Sequence, residues 1–182
     1  MASTTKAAAT KAPSKASSNG QASGPESVNI GLDRKDMDKT IAVLNDILAN
    51  YGVLSTKVKN YHWNVVGIHF MTLHKFFEAL YDDLGEEMDE VAERVRTLGG
   101  TPLGSMAAFI KAATLKEETR TGLSDKEMLT SILADCETFI RQLREGVDKA
   151  DTLGDDASAD FLTGLLETRE KNAWMIRAMA QG

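Results

Sequence analysis

Three histidines fall between positions 62 and 74, and two pairs of potential ligands follow at helical spacing: His74 with Glu78, and Asp89 with Glu93. Residues four apart lie on one helix face, about one turn from each other. At 100° per residue, with His74 at zero, Glu78 sits at about 40°, Asp89 at about 60° and Glu93 at about 100°. All four therefore share a sector of one helix. His74 and Asp89 are nevertheless about 22 Å apart along its axis, whereas metal–ligand bonds are about 2 Å long. The two pairs cannot clasp one ion within one chain. A two-fold axis near residues 83–84, with the helix packed antiparallel on its copy, brings His74 and Glu78 of one chain opposite Asp89 and Glu93 of the other. Gly85 falls in the same sector near that axis, where a missing side chain lets two backbones approach. The competing reading is a solvated acidic face, because Asp82, Asp83, Glu86, Glu87 and Glu90 crowd the same helix. His62, on the apolar stripe of the preceding helix, likewise reads either as a ligand or as a hydrogen-bonded core residue. Imidazole with carboxylate suits Fe(II), Mn or Zn better than Cu(I). Bundle sites of the Glu-x-x-His kind are excluded, since Lys59, Val66 and Met71 stand three before the histidines.

The elements that must carry these residues are helices. Met37, Ile41, Leu44, Leu48, Tyr51, Val58 and Val65 recur at steps of three and four, with Ser55 and His62 on the same stripe. This is the pattern of a helix with one buried face. A second stripe runs through Phe70, Leu73, Phe77, Leu80, Leu84, Met88, Val91, Val95 and Leu98, ending at Gly99-Gly100 with Pro102 beyond. Ser124-Asp125-Lys126-Glu127 is a capping box opening a third helix that points Leu129, Ile132, Cys136, Phe139, Leu143 and Val147 inward. Gly154-Asp155-Asp156 breaks it, and a fourth helix carries Leu162, Leu165, Leu166, Trp174 and Ile176. The long link between the second and third helices has room for a short extra helix over 105–113. The expected fold is all-α, a four-helix bundle with one long crossover.

Composition sets the frame. The chain has 182 residues, with 21 basic and 27 acidic side chains and a net charge of −6, a length that fits one folded domain. Its single cysteine excludes an intramolecular disulfide. No apolar run approaches the roughly 20 residues that span a bilayer, so no membrane role is expected. Residues 1–28 form a Lys/Ala/Ser-rich tail, expected to be disordered because it lacks the apolar surface to offset ordering. Lys6, Lys11 and Lys15 give residues 1–25 a charge of +3, leaving −9 on the rest. The tail reads either as a solubilising extension or as a basic arm for nucleic acid. The bundle occupies 29–182.

Asn60-Tyr61-His62-Trp63-Asn64-Val65, Gly67, Phe70, Leu73-His74, Phe77-Glu78, Tyr81, Asp89-Glu90-Val91-Ala92-Glu93-Arg94, Gly99-Gly100-Thr101-Pro102-Leu103 and Arg169-Glu170-Lys171-Asn172-Ala173-Trp174-Met175 together resemble the Dps, or miniferritin, family of the ferritin-like superfamily. The resemblance covers about residues 30–180. It implies a ferritin-like bundle assembled as a hollow dodecamer, a homo-oligomer that oxidises Fe(II) at two-fold interfaces, usually with hydrogen peroxide, and stores ferric mineral. By matching positions, the iron ligands would be His62, His74 and Glu78 of one subunit with Asp89 and Glu93 of the next. Many relatives carry Asp at the position of Glu78, and the longer side chain shifts the expected second iron position. His69 matches no family ligand and is expected at the surface or behind the ligands. Trp63 is either an electron donor to oxidising intermediates or an interface residue. Asp151, Asp156 and Asp160 match the acidic three-fold pore, with Asp156 also suited to a helix N-terminus. Asp83, Glu86 and Glu87 are expected on the mineral-facing wall. The family also implies a bacterial cytoplasmic location and protection of DNA, here through the tail; the alternative is a mainly structural nucleoid-binding protein.

Overall fold

A computed structural model describes Met1 and residues 27–181. The reading of the basic tail, with Lys6, Lys11 and Lys15, lies almost wholly outside them. The described chain contains α1 (Arg34–Asn64), α2 (Phe70–Thr97), α3 (Met106–Ala112), α4 (Asp125–Thr152) and α5 (Asp156–Ala180), and no strand. Long helices α1 and α2 pack as one pair and α4 and α5 as another, with α1 also against α4 and α3 across α1. Among the described residues no helix is long and apolar enough to cross a membrane.

Each boundary has a local cause. The α1–α2 turn passes through Gly67 at φ 104°, a left-handed conformation that glycine enters without steric cost. α2 stops where Gly99, at φ 75°, and Gly100 donate back to the carbonyls of Arg96 and Val95. The capping box at Ser124 and Glu127 is formed in both directions. Ser105 caps the short α3, whose Phe109 packs so closely on α1 that a Cβ on Gly52 would come within 2.5 Å of its ring.

The apolar stripes converge on one core that includes Leu44, Leu48, Phe77, Leu84, Ile132, Phe139, Leu162 and Ile176, all fully covered. Trp174 is a correction: it is 63% exposed. The buried stripe of α5 runs through Leu162, Leu165, Leu166, Arg169, Asn172, Ala173 and Ile176, and that phase turns position 174 outward. Cys136 lies in the core, where burial pushes its thiol up to about 12, leaving essentially no thiolate at neutral pH.

The crossover is tied down by polar groups. Asn50 on α1 accepts from the backbone N–H of Thr114 and Leu115 and donates to Thr114 and Gln142. Tyr61 donates to Glu118, which also receives the guanidinium and backbone N–H of Arg120. The link is thereby fixed alongside α1, and the last turn of α1 faces the start of α2.

Candidate metal centre

That juxtaposition builds the first half of a site. His62, on the last turn of α1, is 7% exposed, and His74, on the first turns of α2, is half-buried. Their rings stack with centroids 3.8 Å apart and planes 19° apart. Nδ1 of His62 lies 2.8 Å from the His74 carbonyl, and Nδ1 of His74 lies 2.9 Å from the His62 carbonyl. A carbonyl oxygen only accepts, so each Nδ1 carries the proton and each neutral ring keeps its lone pair on Nε2. Holding one ring nitrogen on a backbone carbonyl is how metal-ligating histidines are fixed in orientation and tautomer.

Aromatic neighbours frame the pair. Phe70 stacks on His74 at 5.0 Å, and Tyr81 stands edge-on to His62 at 5.2 Å. Lys59 places its ammonium 5.3 Å from the centre of the Tyr81 ring. Lys59 is one turn before His62 and Tyr81 two turns after His74, so helical spacing was the available signal for both.

Glu78, Asp89 and Glu93 are exposed along the outer face of α2. Among the described residues, no three His, Cys, Asp or Glu side chains come together to hold an ion. One chain therefore displays two histidines at one end of an open helix face and carboxylates along its length. Gly85 lies on that face, and a Cβ built there meets nothing within 4 Å. Trp63, Val66, Phe70 and Met71 add exposed apolar surface beside the histidines, Trp63 at 71%.

Comparison with known proteins decides the lineage. The ferritin-like domain family matches residues 41–182. A DNA protection during starvation protein of Brevibacillus brevis is 38% identical over 149 residues, 81% of this chain and 99% of the relative. The chain belongs to the Dps family. A low temperature-induced protein of Nostoc sp. is 46% identical over 156 residues, 85% of this chain and 87% of that one. Among solved structures, the Dps protein of Vibrio cholerae O1, described as a member of a superfamily of ferritin-like diiron-carboxylate proteins, superposes with a TM-score of 0.81 at 32% identity, covering 86% of this chain and 99% of its own.

The remaining acids of this Dps chain divide into two groups. Asp151, Asp156 and Asp160 are exposed around the turn between α4 and α5. Asp155 among them is 3% exposed: it caps α5 by accepting from the Ser158 N–H and pairs with Arg94 at 2.8 Å. The sequence reading missed this link from the end of α2 to the start of α5, although Arg94 directly follows Glu93. Glu87 is a second correction. It does not join Asp83 and Glu86 on an exposed mineral-facing wall but is 9% exposed and paired with Arg169, which has no exposed surface. Its position, seven residues after Leu80 and three after Leu84, puts it on the buried stripe. His69 stands at the surface with Nδ1 2.7 Å from the Asp125 carboxylate, joining the start of α2 to that of α4. That hydrogen bond is the main cause holding the Asp125 carboxyl below its usual value.

Proposed function

We propose that this protein is a ferroxidase and iron store in which each oxidation site is completed by a second copy of the chain. The observation that carries this reading is the histidine pair, whose Nε2 lone pairs are left open by the reciprocal Nδ1 hydrogen bonds. Across the two-fold axis through residues 83–84, His62, His74 and Glu78 of one chain meet Asp89 and Glu93 of the next, giving two identical sites per dimer. The set has imidazoles and carboxylates and no thiolate, which fits Fe(II).

The chain's residues bring iron and oxidant together in a fixed place. Metal ligation requires deprotonated carboxylates and a free imidazole lone pair, so Fe(II) and protons compete for these side chains. One hydrogen peroxide takes one electron from each of two Fe(II) and two protons from solvent, giving two Fe(III) and two waters. Taking both electrons in one encounter avoids releasing hydroxyl radical. Trp63, next to His62 in sequence and 71% exposed in the single chain, would either donate electrons to oxidising intermediates or be covered at the dimer interface. In a hollow dodecamer, Asp151, Asp156 and Asp160 repeated about a three-fold axis would make a negative funnel for Fe(II). Twelve tails bearing Lys6, Lys11 and Lys15 would hold DNA by summed weak phosphate contacts, in keeping with the names of relatives such as that of Brevibacillus brevis.

The test uses peroxide-driven Fe(II) oxidation by His62→Ala and Asp89→Ala proteins, each expected to lose it. Re-assembled together at random, the two restore about a quarter of the sites, because a mixed dimer holds one intact site of two. Activity retained in both variants, or no recovery on mixing, overturns the shared site. Removal of residues 1–25 should abolish a DNA gel shift that is already weak at moderate salt, and leave oxidation unchanged.

A further inference from the structure

The two helix pairs meet across a polar island that the iron chemistry does not use. Nη2 of Arg169, on α5, lies 2.9 and 2.7 Å from the two carboxylate oxygens of Glu87, on α2. Tyr51, on α1 and also without exposed surface, turns its hydroxyl toward Glu87 without closing a hydrogen bond. Of the five guanidinium N–H groups only those on Nη2 are engaged. Among the described residues, Nε and Nη1 of Arg169 have no acceptor, and neither does Nδ2 of Asn172, three residues along the same face of α5. Asn172 is 5% exposed.

Donors left bare in an interior cost about 1–3 kcal/mol each, and native proteins place an acceptor against them. The acceptor here must be small, since no side chain supplies it. Its charge is constrained too. Arg169 and Glu87 already balance, so an anion would add a net charge to a low-dielectric interior, whereas a neutral guest would not. A cation is opposed by the guanidinium. Water meets these demands: its oxygen accepts from Arg169, and its protons are available to the Tyr51 oxygen and the Glu87 carboxylate. Buried waters make about three such bonds each.

We infer that Arg169, Tyr51 and Asn172 form an internal water site that hydrates the Glu87–Arg169 pair at the junction of α2 and α5. Ferritin-like bundles build metal sites in this space from inward carboxylates and Glu-x-x-His motifs. Here the inward carboxylate of Glu87 is taken up by Arg169. The site is independent of the iron reading above.

High-resolution crystals of the full-length assembled protein provide the test, native and soaked in bromide. The expected result is one ordered water or more on Nε and Nη1 of Arg169 in every subunit, with no bromine anomalous signal there. A bromine peak identifies a halide site and overturns the proposal, as does the absence of density beside these nitrogens. The Arg169→Met/Glu87→Leu protein removes both charges at similar volume and should lose the density. Density that persists in it shows that other groups hold the guest, and the proposal fails. If that variant does not fold, the native crystals still decide.

Discussion

Nδ1 of His62 and Nδ1 of His74 each bond to the other's backbone carbonyl, at 2.8 and 2.9 Å, with the rings stacked at 3.8 Å. One pair of residues thus closes the α1–α2 junction through Nδ1 and leaves Nε2 of each ring for a ligand. The structural and chemical roles reside on different nitrogens of the same ring, so they are separable. Asparagine places its amide N–H near the position of Nδ1 but has nothing at Nε2. His74→Asn should therefore melt close to the parent protein while Fe(II) oxidation falls about 10–100-fold, the scale on which disturbing metal ligation acts. Thermal melts and stopped-flow oxidation check this. Parental oxidation in His74→Asn would remove His74 from the ligand set.

Gly85 makes the second copy testable without touching a ligand. It lies inside a 28-residue helix, where glycine costs about 0.5–1 kcal/mol relative to alanine, and nothing in its own chain occupies the space a Cβ would take. The chain alone gives no reason for glycine there, but a close helix partner does. Gly85→Arg should fold with full helix content yet fail to form the two-fold pair, with oxidation lost alongside. Light scattering after size exclusion, with circular dichroism, reads both. An assembly of native size that oxidises iron normally would rule out the axis near residues 83–84.

Much of this was legible from spacing alone, because the three-and-four stripes of α1, α2 and α4 run the length of each helix, broken in α1 only by Ser55 and His62, and their ends carry strong local signals in Gly99, Ser124 and Gly154. The separation of His74 and Asp89 along α2 means that any ion held by both pairs needs a second chain. What periodicity missed were charged residues inside the core. Glu87 reads as one more acid on an acidic helix although its spacing puts it on the buried stripe, and the partner that balances its charge there, Arg169, lies 82 residues away on α5. Pairing at that distance leaves no trace in local spacing. Trp174 was grouped with the apolar residues of α5 by type, while the phase of that helix turns it outward.

Glu118 should make stability depend on acid. The Arg120 guanidinium, then its backbone N–H and the Tyr61 hydroxyl, hold this carboxyl down at about 2. Because the folded value lies below the unfolded one, the stabilisation is complete above the ordinary value of 4.5 and is lost as pH falls from there toward 2. Glu118→Gln keeps the shape but loses the charge, and should cost about 1–2 kcal/mol at neutral pH. The gap between the two proteins should close through that acid window in denaturant melts. A gap independent of pH would show that charge is not what docks the crossover.

Gly52 and Phe109 offer a test in which an effect changes sign. Alanine inside a helix is more favourable than glycine by about 1 kcal/mol, yet a Cβ at position 52 would stand 2.5 Å from Cδ2 and 2.9 Å from Cγ of Phe109. Phe109 is 5% exposed and is the buried residue of α3, so it has little room to retreat. Gly52→Ala should therefore destabilise the parent protein by about 1–3 kcal/mol, the usual cost of overpacking. In a Phe109→Ala background the clash is gone, and the same substitution should stabilise by roughly the helix propensity difference. A double-mutant cycle in urea gives both numbers and their coupling. The same sign in both backgrounds would mean that α3 does not rest on α1 through this contact.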